Sequence, residues 1–317
     1  VLKLLIIKPS SLGDIIHALR VLSSIKEELP DSQVSWVVRD IFAQTVRTSG
    51  LVDHVFEFQR GSGLFAYLGL IRQLRRQRFD YVFDMQGLLR SGVLTGMSRA
   101  SQKWGRRDGR EGSTFFYKKV NCPQDPRTVH AIDVLLAFKE ALDLKPILSG
   151  QLSFPVARLS DENGILVEEI TRNGVLPLVT VFPESRRVEK EWPHFDELTR
   201  RLAASSEVAL ALAGSKVASA PQCEGCLDLT GKTSLKELPA LLERSSVVLA
   251  NDSAPLHFAS ALERPLIGLF GPTNPLCFGP YPACNRSGKA LKAPLGDLSL
   301  LSVDEVEQSV LSLLANV

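Results

Sequence analysis

The chain has 317 residues, 44% of them hydrophobic and 23% charged, a composition that predicts two soluble globular domains and excludes a small stapled scaffold. No run approaches the ~20 uninterrupted apolar residues that a membrane-spanning helix needs. Lys plus Arg number 37 against 35 Asp plus Glu, a near-balance that selects no partner.

The first element is expected at Leu2 to Ile7, an apolar run broken only by Lys3 and of the length of a strand buried on both faces of a parallel sheet. Lys8-Pro9-Ser10-Ser11-Leu12-Gly13-Asp14 follows, and then Ile15, Ile16, Leu19, Leu22 and Ile25 at helical spacing. Strand, small-residue turn and helix open a βαβ unit. Val34 to Val38, Val55 to Phe58 and Tyr81 to Asp84 supply further strands, with a basic helix predicted from Leu68 to Gln77. The segment from Leu144 to Pro155 is rich in Pro, Gly and Ser, which places a domain junction near residue 155. Beyond it the rhythm repeats. A helix is expected at Asp161 to Arg172, strands at Leu178 to Phe182, Val208 to Ala213, Val247 to Ala250 and Leu266 to Phe270, and helices at Phe195 to Ala203, Leu235 to Glu243, Ala254 to Leu262 and Val303 to Leu314. Strands alternating with helices predict an α/β fold of two doubly wound domains, 1–155 and 156–317, with ligands at the carboxyl ends of the strands and in the cleft between the domains. The last helix is left free to pack back on the first domain.

Charge is unevenly spread. From Arg60 to Lys119 there are thirteen basic residues against four acids, a local excess of +9 suited to phosphates, carboxylates or anionic lipid headgroups. A plain alternative is that Arg72 to Arg78 solvate a helix face. Aromatic side chains are not interleaved with these arginines as they are in single-strand binders, so no nucleic-acid partner is expected. The five cysteines include a CxxC pair, Cys223 and Cys226, with Cys277 and Cys284 downstream. The second gap is too wide for a zinc knuckle, so free thiols in a reducing, cytoplasmic setting are expected.

Three motifs carry chemistry. In the first, Gly13 is expected to allow a tight turn, the helix start offers N–H groups, and Asp14 is placed to take a proton, although Asp is also an ordinary N-cap. It lacks the spacing of a dinucleotide fingerprint or a P-loop. In the second, Pro183-Glu184-Ser185-Arg186-Arg187-Val188-Glu189-Lys190-Glu191-Trp192-Pro193, a cation follows a strand and can meet a pyrophosphate, while Trp192-Pro193 fixes the entry of the next helix. In the third, Ala250-Asn251-Asp252-Ser253-Ala254-Pro255-Leu256-His257, Ser253 or Asp252 is expected to cap a helix whose positive end makes a diphosphate site, with His257 one turn in. Gly271 and Pro272 are expected to let the backbone approach a ligand closely.

The set KPSSLGD, EKEWP and NDSAPLHFASALERPLIGLFGPTNP, in this order and spacing, resembles the ADP-heptose:lipopolysaccharide heptosyltransferases, glycosyltransferase family 9. The stretches Asp84 to Ser91 and Arg110 to Tyr117 resemble those of its heptosyltransferase I branch. The resemblance implies a GT-B fold and an inverting, metal-independent and cofactor-free transfer of heptose from ADP-L-glycero-D-manno-heptose to the Kdo/inner core of lipopolysaccharide. It implies Asp14 as base and Lys190 as the cation on the leaving diphosphate. It further implies Ser185, Arg186, Lys190, Asp252, Ser253, Ala254 and His257 around the donor, and Ser11, Gly13, Arg60, Gln86, Arg106 and Arg110 around the acceptor, with Arg99, Lys103 and Arg107 in the same basic stretch. The acceptor then sits at the cytoplasmic face of the inner membrane, with the enzyme peripheral to it. Two positions depart from the family: Ala254 stands where a glycine is usual, and Gly214-Ser215-Lys216-Val217-Ala218 holds no carboxylate for the donor ribose before Glu224. They leave open a different nucleotide-sugar donor, and a non-catalytic binder of anionic surfaces remains the other alternative.

Overall fold

The computed structural model describes residues 1–61, 63–121, 128–215, 225–282 and 288–315. Cys223, Cys284, Glu224 and Lys216 to Ala218 lie outside them. The chain divides into two compact units, Val1–Val156 and Ala157–Val317.

The first unit contains β1 (Lys3–Ile7), α1 (Leu12–Glu28), β2 (Gln33–Arg39), α2 (Asp40–Thr48), β3 (His54–Phe58), α3 (Gly63–Arg75), β4 (Phe79–Asp84), α4 (Leu89–Met97), β5 (Ala100–Gly105), a 3₁₀ turn at Ser113–Phe116, β6 (Lys118–Lys119) and α5 (Ala131–Glu140). Its sheet is wholly parallel in the order β3-β2-β1-β4-β5-β6. Central β1 shows why such a strand reads as an unbroken apolar run: Leu4, Leu5, Ile6 and Ile7 are all fully buried, because helices cover both faces. Leu5 and Ile7 meet Leu70, Ile71 and Leu74 of α3 and Leu94 of α4, while α1 lies against α5 and α2.

The second unit contains α6 (Asp161–Ile170), β7 (Leu178–Phe182), α7 (Phe195–Ala204), β8 (Ala209–Leu212), β9 (Leu227–Asp228), α8 (Leu238–Arg244), β10 (Val247–Asn251), α9 (Ala254–Ala261), β11 (Leu266–Phe270), α10 (Pro275–Phe278), β12 (Gly288–Lys292) and α11 (Val303–Leu314). The sheet order β12-β11-β10-β7-β8-β9, again all parallel, repeats that of the first unit. Where the sequence left α11 free to pack on the first domain, its Val306 and Val310 lie in the core of the second unit with Val247, Leu249, Ile267 and Leu269. Trp192 is buried in the same core, and its indole N–H donates to the Leu301 carbonyl at 2.9 Å. Cys277 is a free, buried thiol, whereas Cys226 is disulfide-bonded, against the expectation of free thiols.

Both units have the strand order of a doubly wound nucleotide-binding fold, in which the central pair of strands marks the point where the chain reverses direction across the sheet. In the first unit that pair is β1 and β4; in the second it is β7 and β10.

Candidate active site

At the carboxyl end of β1, Lys8 is 3% exposed and its ammonium lies 3.8 Å from the carboxylate of Asp14, which is 40% exposed. Burial pushes the Lys8 ammonium below its ordinary value, and the neighbouring Asp14 carboxylate offsets part of that fall. Asp14 feels the reverse. Burial pushes its carboxyl upward, but the Lys8 charge and the Ser11 hydrogen bonds outweigh this and hold it well below the usual carboxylate range. The Ser11 N–H donates to Asp14 Oδ2 at 3.0 Å and the Ser11 hydroxyl at 2.6 Å. Asp14 therefore sits in the first turn of α1 as the acidic half of a reciprocal cap, so the capping role set against chemistry in the sequence is real. It does not exhaust the side chain, which keeps an exposed edge.

Gly13 is buried as the second residue of α1, without the left-handed φ that a tight turn would require. The turn that does need a glycine is on β4. There Asp84 is fully buried, and its Oδ1 accepts from the N–H groups of Gln86 and Gly87 at 3.0 and 2.9 Å. Gly87 has φ +71°, and a Cβ on it would come within 3.3 Å of both the Arg106 side chain and the Gly109 backbone. Asp84 Oδ2 is buried without a hydrogen-bond partner. Burial pushes this carboxyl up to about 6 against the opposing pull of the Gly87 and Gln86 N–H groups. Lys8 and Asp84, which the sequence did not single out as site residues, thus form the floor beneath Asp14.

Gln86 joins this floor to the turn before α1, since its Oε1 accepts from the Ser10 N–H at 3.2 Å. The Arg106 guanidinium is held by Asp108 through bonds of 2.8 and 2.6 Å, and the Arg110 N–H donates to the Gly87 carbonyl at 2.8 Å. Ser11, Gln86, Arg106 and Arg110 are therefore gathered around the ends of β1 and β4. Arg60 is exposed beyond β3, two strands from β1.

In the second unit, Lys190 closes a short 3₁₀ turn, and its ammonium lies 2.6 Å from Asp252 Oδ2, both side chains being largely buried. The same oxygen accepts from the Thr273 hydroxyl at 2.7 Å, and Oδ1 lies 3.8 Å from His257 Nε2. Asn251 fixes the surrounding turns: its amide donates to the Pro183 carbonyl at 2.7 Å, and its Oδ1 accepts from the Trp192 N–H at 3.1 Å. Parallel pairing of β7 with β10 brings these distant motifs together.

Ser253 occupies the N-cap position of α9, but its side chain makes no capping hydrogen bond, contrary to the sequence expectation, and its hydroxyl is buried without a partner. Asp252 does not cap the helix with its side chain either; it holds Lys190 and Thr273. Ala254 is the first residue of α9. Ser185 is buried with its N–H on Glu191 Oε1 at 2.9 Å, while Arg186 is exposed. Gly271 is packed closely by its own chain, since a Cβ there would meet Leu298 Cγ at 3.0 Å and the Glu189 carbonyl at 3.1 Å.

One acid of the second motif was quoted in the sequence without a role. Glu184, just past β7, accepts from the Ser215 N–H at 2.6 Å and from its hydroxyl at 2.9 Å. A carboxylate from the end of β7 thus lies against the residue that follows Gly214.

Two all-parallel units of the same topology, each with a polar cluster at its central strand ends, define an α/β enzyme of the GT-B class. A family model described as glycosyltransferase family 9 (heptosyltransferase) matches residues 67–291, and the chain belongs to that family. It is 26% identical over 296 residues to the lipopolysaccharide core heptosyltransferase OpsX of Haemophilus influenzae, covering 88% of this chain and 81% of that one. It is 25% identical over 341 residues to an Escherichia coli lipopolysaccharide heptosyltransferase 1, covering 98% and 100%. Among solved structures, Escherichia coli heptosyltransferase WaaC with ADP superposes with a TM-score of 0.79 at 23% identity, covering 98% of this chain and all of that one (100%). A family 9 glycosyltransferase from Veillonella parvula gives 0.82 at 19% identity, covering 99% and 98%.

Proposed function

We propose that the protein transfers heptose from an ADP-heptose donor to an inner-core lipopolysaccharide acceptor, by single displacement with inversion and without a metal ion. The first unit takes the acceptor. Asp14 accepts the proton of the acceptor hydroxyl as its oxygen bonds to the anomeric carbon, and the bond from that carbon to the ADP oxygen breaks with its electron pair leaving on ADP. The second unit receives the charge that develops on ADP. Lys190 and the N–H groups that open α9 are fixed donors, and preorganised donors stabilise a leaving anion without reorganising.

The observation that carries this reading is the Lys190–Asp252 pair beside the Ser253 hydroxyl, which is buried with no partner. A buried hydroxyl left unbonded costs about 1–3 kcal/mol, and a phosphate oxygen at the start of α9 relieves that cost. Glu184 supports a nucleoside donor, because its carboxylate beside Ser215 is suited to accept from ribose hydroxyls. The relatives named for lipopolysaccharide heptose transfer and the ADP-heptose analogue crystallised in Escherichia coli WaaC favour heptose and ADP. Arg106 and Arg110 suit an acceptor that carries carboxylates and phosphates, presented at the cytoplasmic face of the inner membrane.

The deciding experiment measures nucleotide release from ADP-heptose and from a panel of other nucleotide sugars, with and without a Kdo-bearing acceptor. Acceptor-dependent ADP release from ADP-heptose is the expected result. Turnover of a different nucleotide sugar in preference would replace the donor assignment while retaining the enzyme class.

A further inference from the structure

The sequence places the basic helix from Leu68, but α3 begins at Gly63, and the added turn changes its character. Leu64, Phe65 and Leu68 are 68%, 89% and 49% exposed, whereas Leu70, Ile71 and Leu74 are buried against the sheet. At 100° per residue, Leu64, Leu68, Arg72 and Arg75 follow one another along the outward face. That face is apolar at its start and cationic at its end, with Arg76 exposed directly beyond it. From Arg60 to Phe79 the chain contains no acid.

The neighbouring elements extend this face. Tyr67 donates to the Arg90 carbonyl at 2.6 Å and Arg75 to the Met97 carbonyl at 3.3 Å, so α3 and α4 run side by side in the same direction. Both cover the same side of the first sheet, and their outward faces therefore share one aspect of the unit. The turn at Ser113–Phe116 lies close on α4 at Gly92 and Gly96; a Cβ on Gly96 would come 2.6 Å from the Phe116 ring. Phe116 is thereby turned inward, and the adjacent Phe115 is left 90% exposed.

We infer that the first unit docks on an anionic lipid surface through the outward face of α3, continued by α4 and Phe115. Leucine and phenylalanine side chains enter the acyl boundary, and arginines on the same face, whose stems cover apolar surface while their heads reach outward, meet lipid phosphates. Charge complementarity selects this occupant over an uncharged partner. A nucleic acid would reward the arginines but would leave Leu64, Phe65 and Leu68 in water. The inference deepens the proposed function, because an enzyme seated in this way meets an acceptor held in the same leaflet, but the surface itself stands on α3 and not on the transfer site.

The test is sedimentation of the full chain with vesicles of phosphatidylethanolamine and phosphatidylglycerol, against phosphatidylcholine alone. The wild-type protein is expected to partition at least about 10-fold more strongly onto the anionic vesicles, with affinity falling as salt rises. Two independent variants, Phe65→Ser with Leu68→Ser and Arg72→Glu with Arg76→Glu, are expected to lose most of that binding while retaining the far-ultraviolet circular dichroism of the wild type. Both should turn over a lipid-free Kdo-bearing acceptor at the wild-type rate. Equal binding to both vesicle types, or variants that sediment as the wild type does, would overturn the inference. So would a change from dimer to monomer on Phe65→Ser with vesicle binding unchanged, which would make the face a contact between copies. Vesicle binding without sugar transfer would instead leave this surface standing and remove the functional reading.

Discussion

The same strand order delivers opposite charge designs in the two units. At the end of β1 a carboxylate is left partly exposed above a buried ammonium; at the end of β10 an ammonium and a carboxylate neutralise each other 2.6 Å apart. The first arrangement keeps Asp14 ionised and partly exposed, as the proposed role of base requires. The second stores a cation whose partner is already in place, so in the proposed mechanism the diphosphate shares Lys190 with Asp252. Topology therefore decides where a site falls, and a few side chains at the strand ends decide what it handles.

The sharpest break in this contrast is Asp14→Ala. It is expected to reduce turnover by about 100-fold or more, the scale of a general base, while the affinity for ADP stays within about twofold because no second-unit group is touched. Single-turnover rates and calorimetric ADP binding check the two halves. A rate within a few-fold of wild type would remove Asp14 from the mechanism.

Next in size is the ion pair of the second unit. Lys190→Met leaves Asp252 buried without its cation, and breaking one side of a buried pair costs about 3–5 kcal/mol. The single variant should lose both thermal stability and ADP affinity. Adding Asp252→Asn should restore much of the stability but not the affinity, since only the lost ammonium served the diphosphate. Recovery of both would show that Lys190 acts on the fold alone.

The first unit can be tested by titration. Lys8→Met removes the charge that holds the Asp14 carboxyl down, so the acid limb of the kcat/KM profile should move to higher pH. The stability that the Lys8–Asp14 contact gives is present above the unfolded carboxylate value and lost as pH falls through the lower folded one, and in this variant that acid-side loss begins earlier. Asp84 has the opposite sign. Its folded value of about 6 lies above the ordinary 3.8, so it costs stability as pH rises from 3.8 to 6, by roughly 3 kcal/mol at neutral pH. Asp84→Asn keeps an oxygen for the Gln86 and Gly87 N–H groups, and should raise the melting temperature relative to wild type more at pH 8 than at pH 4. An equal change at both would mean that burial does not raise this carboxyl above its unfolded value.

Much of this contrast was legible in the sequence, and the missing parts share a cause. Strands with continuous apolar runs, such as Leu178–Phe182 and Leu266–Phe270, were read to the residue because burial on both faces leaves no alternation to confuse. The strands β5, β6, β9 and β12 went unread; polar or only two residues long, they carry no apolar run. Asp14, Lys190 and Asp252 stood out as motifs. Lys8, Asp84 and Glu184 lay inside the quoted stretches without being given a role, because each acts through its fit to a neighbour: Lys8 on Asp14 of α1, Asp84 on the Gly87 turn of its own loop, Glu184 on Ser215 beyond β8. Burial and turn geometry decide the first two of these roles, and the parallel pairing of β7 with β8 decides the third.

The smallest expected effect belongs to Ala254, where the resemblance led to the expectation of a glycine. Ala254→Gly exchanges a good helix former for a poor one, but at the first residue of α9, where only part of the full penalty of ~1 kcal/mol applies. The Tm should fall by a few degrees at most. If the Cβ narrows the space for the donor phosphate, the same substitution lowers the donor KM by a few-fold with kcat unchanged, since the interaction gained is one of ground-state and transition-state binding alike. A KM that does not move, together with the small loss in Tm, would show that the donor approaches α9 through its N–H groups without touching that carbon, and the second unit's charge pair would then carry donor recognition without help from local shape.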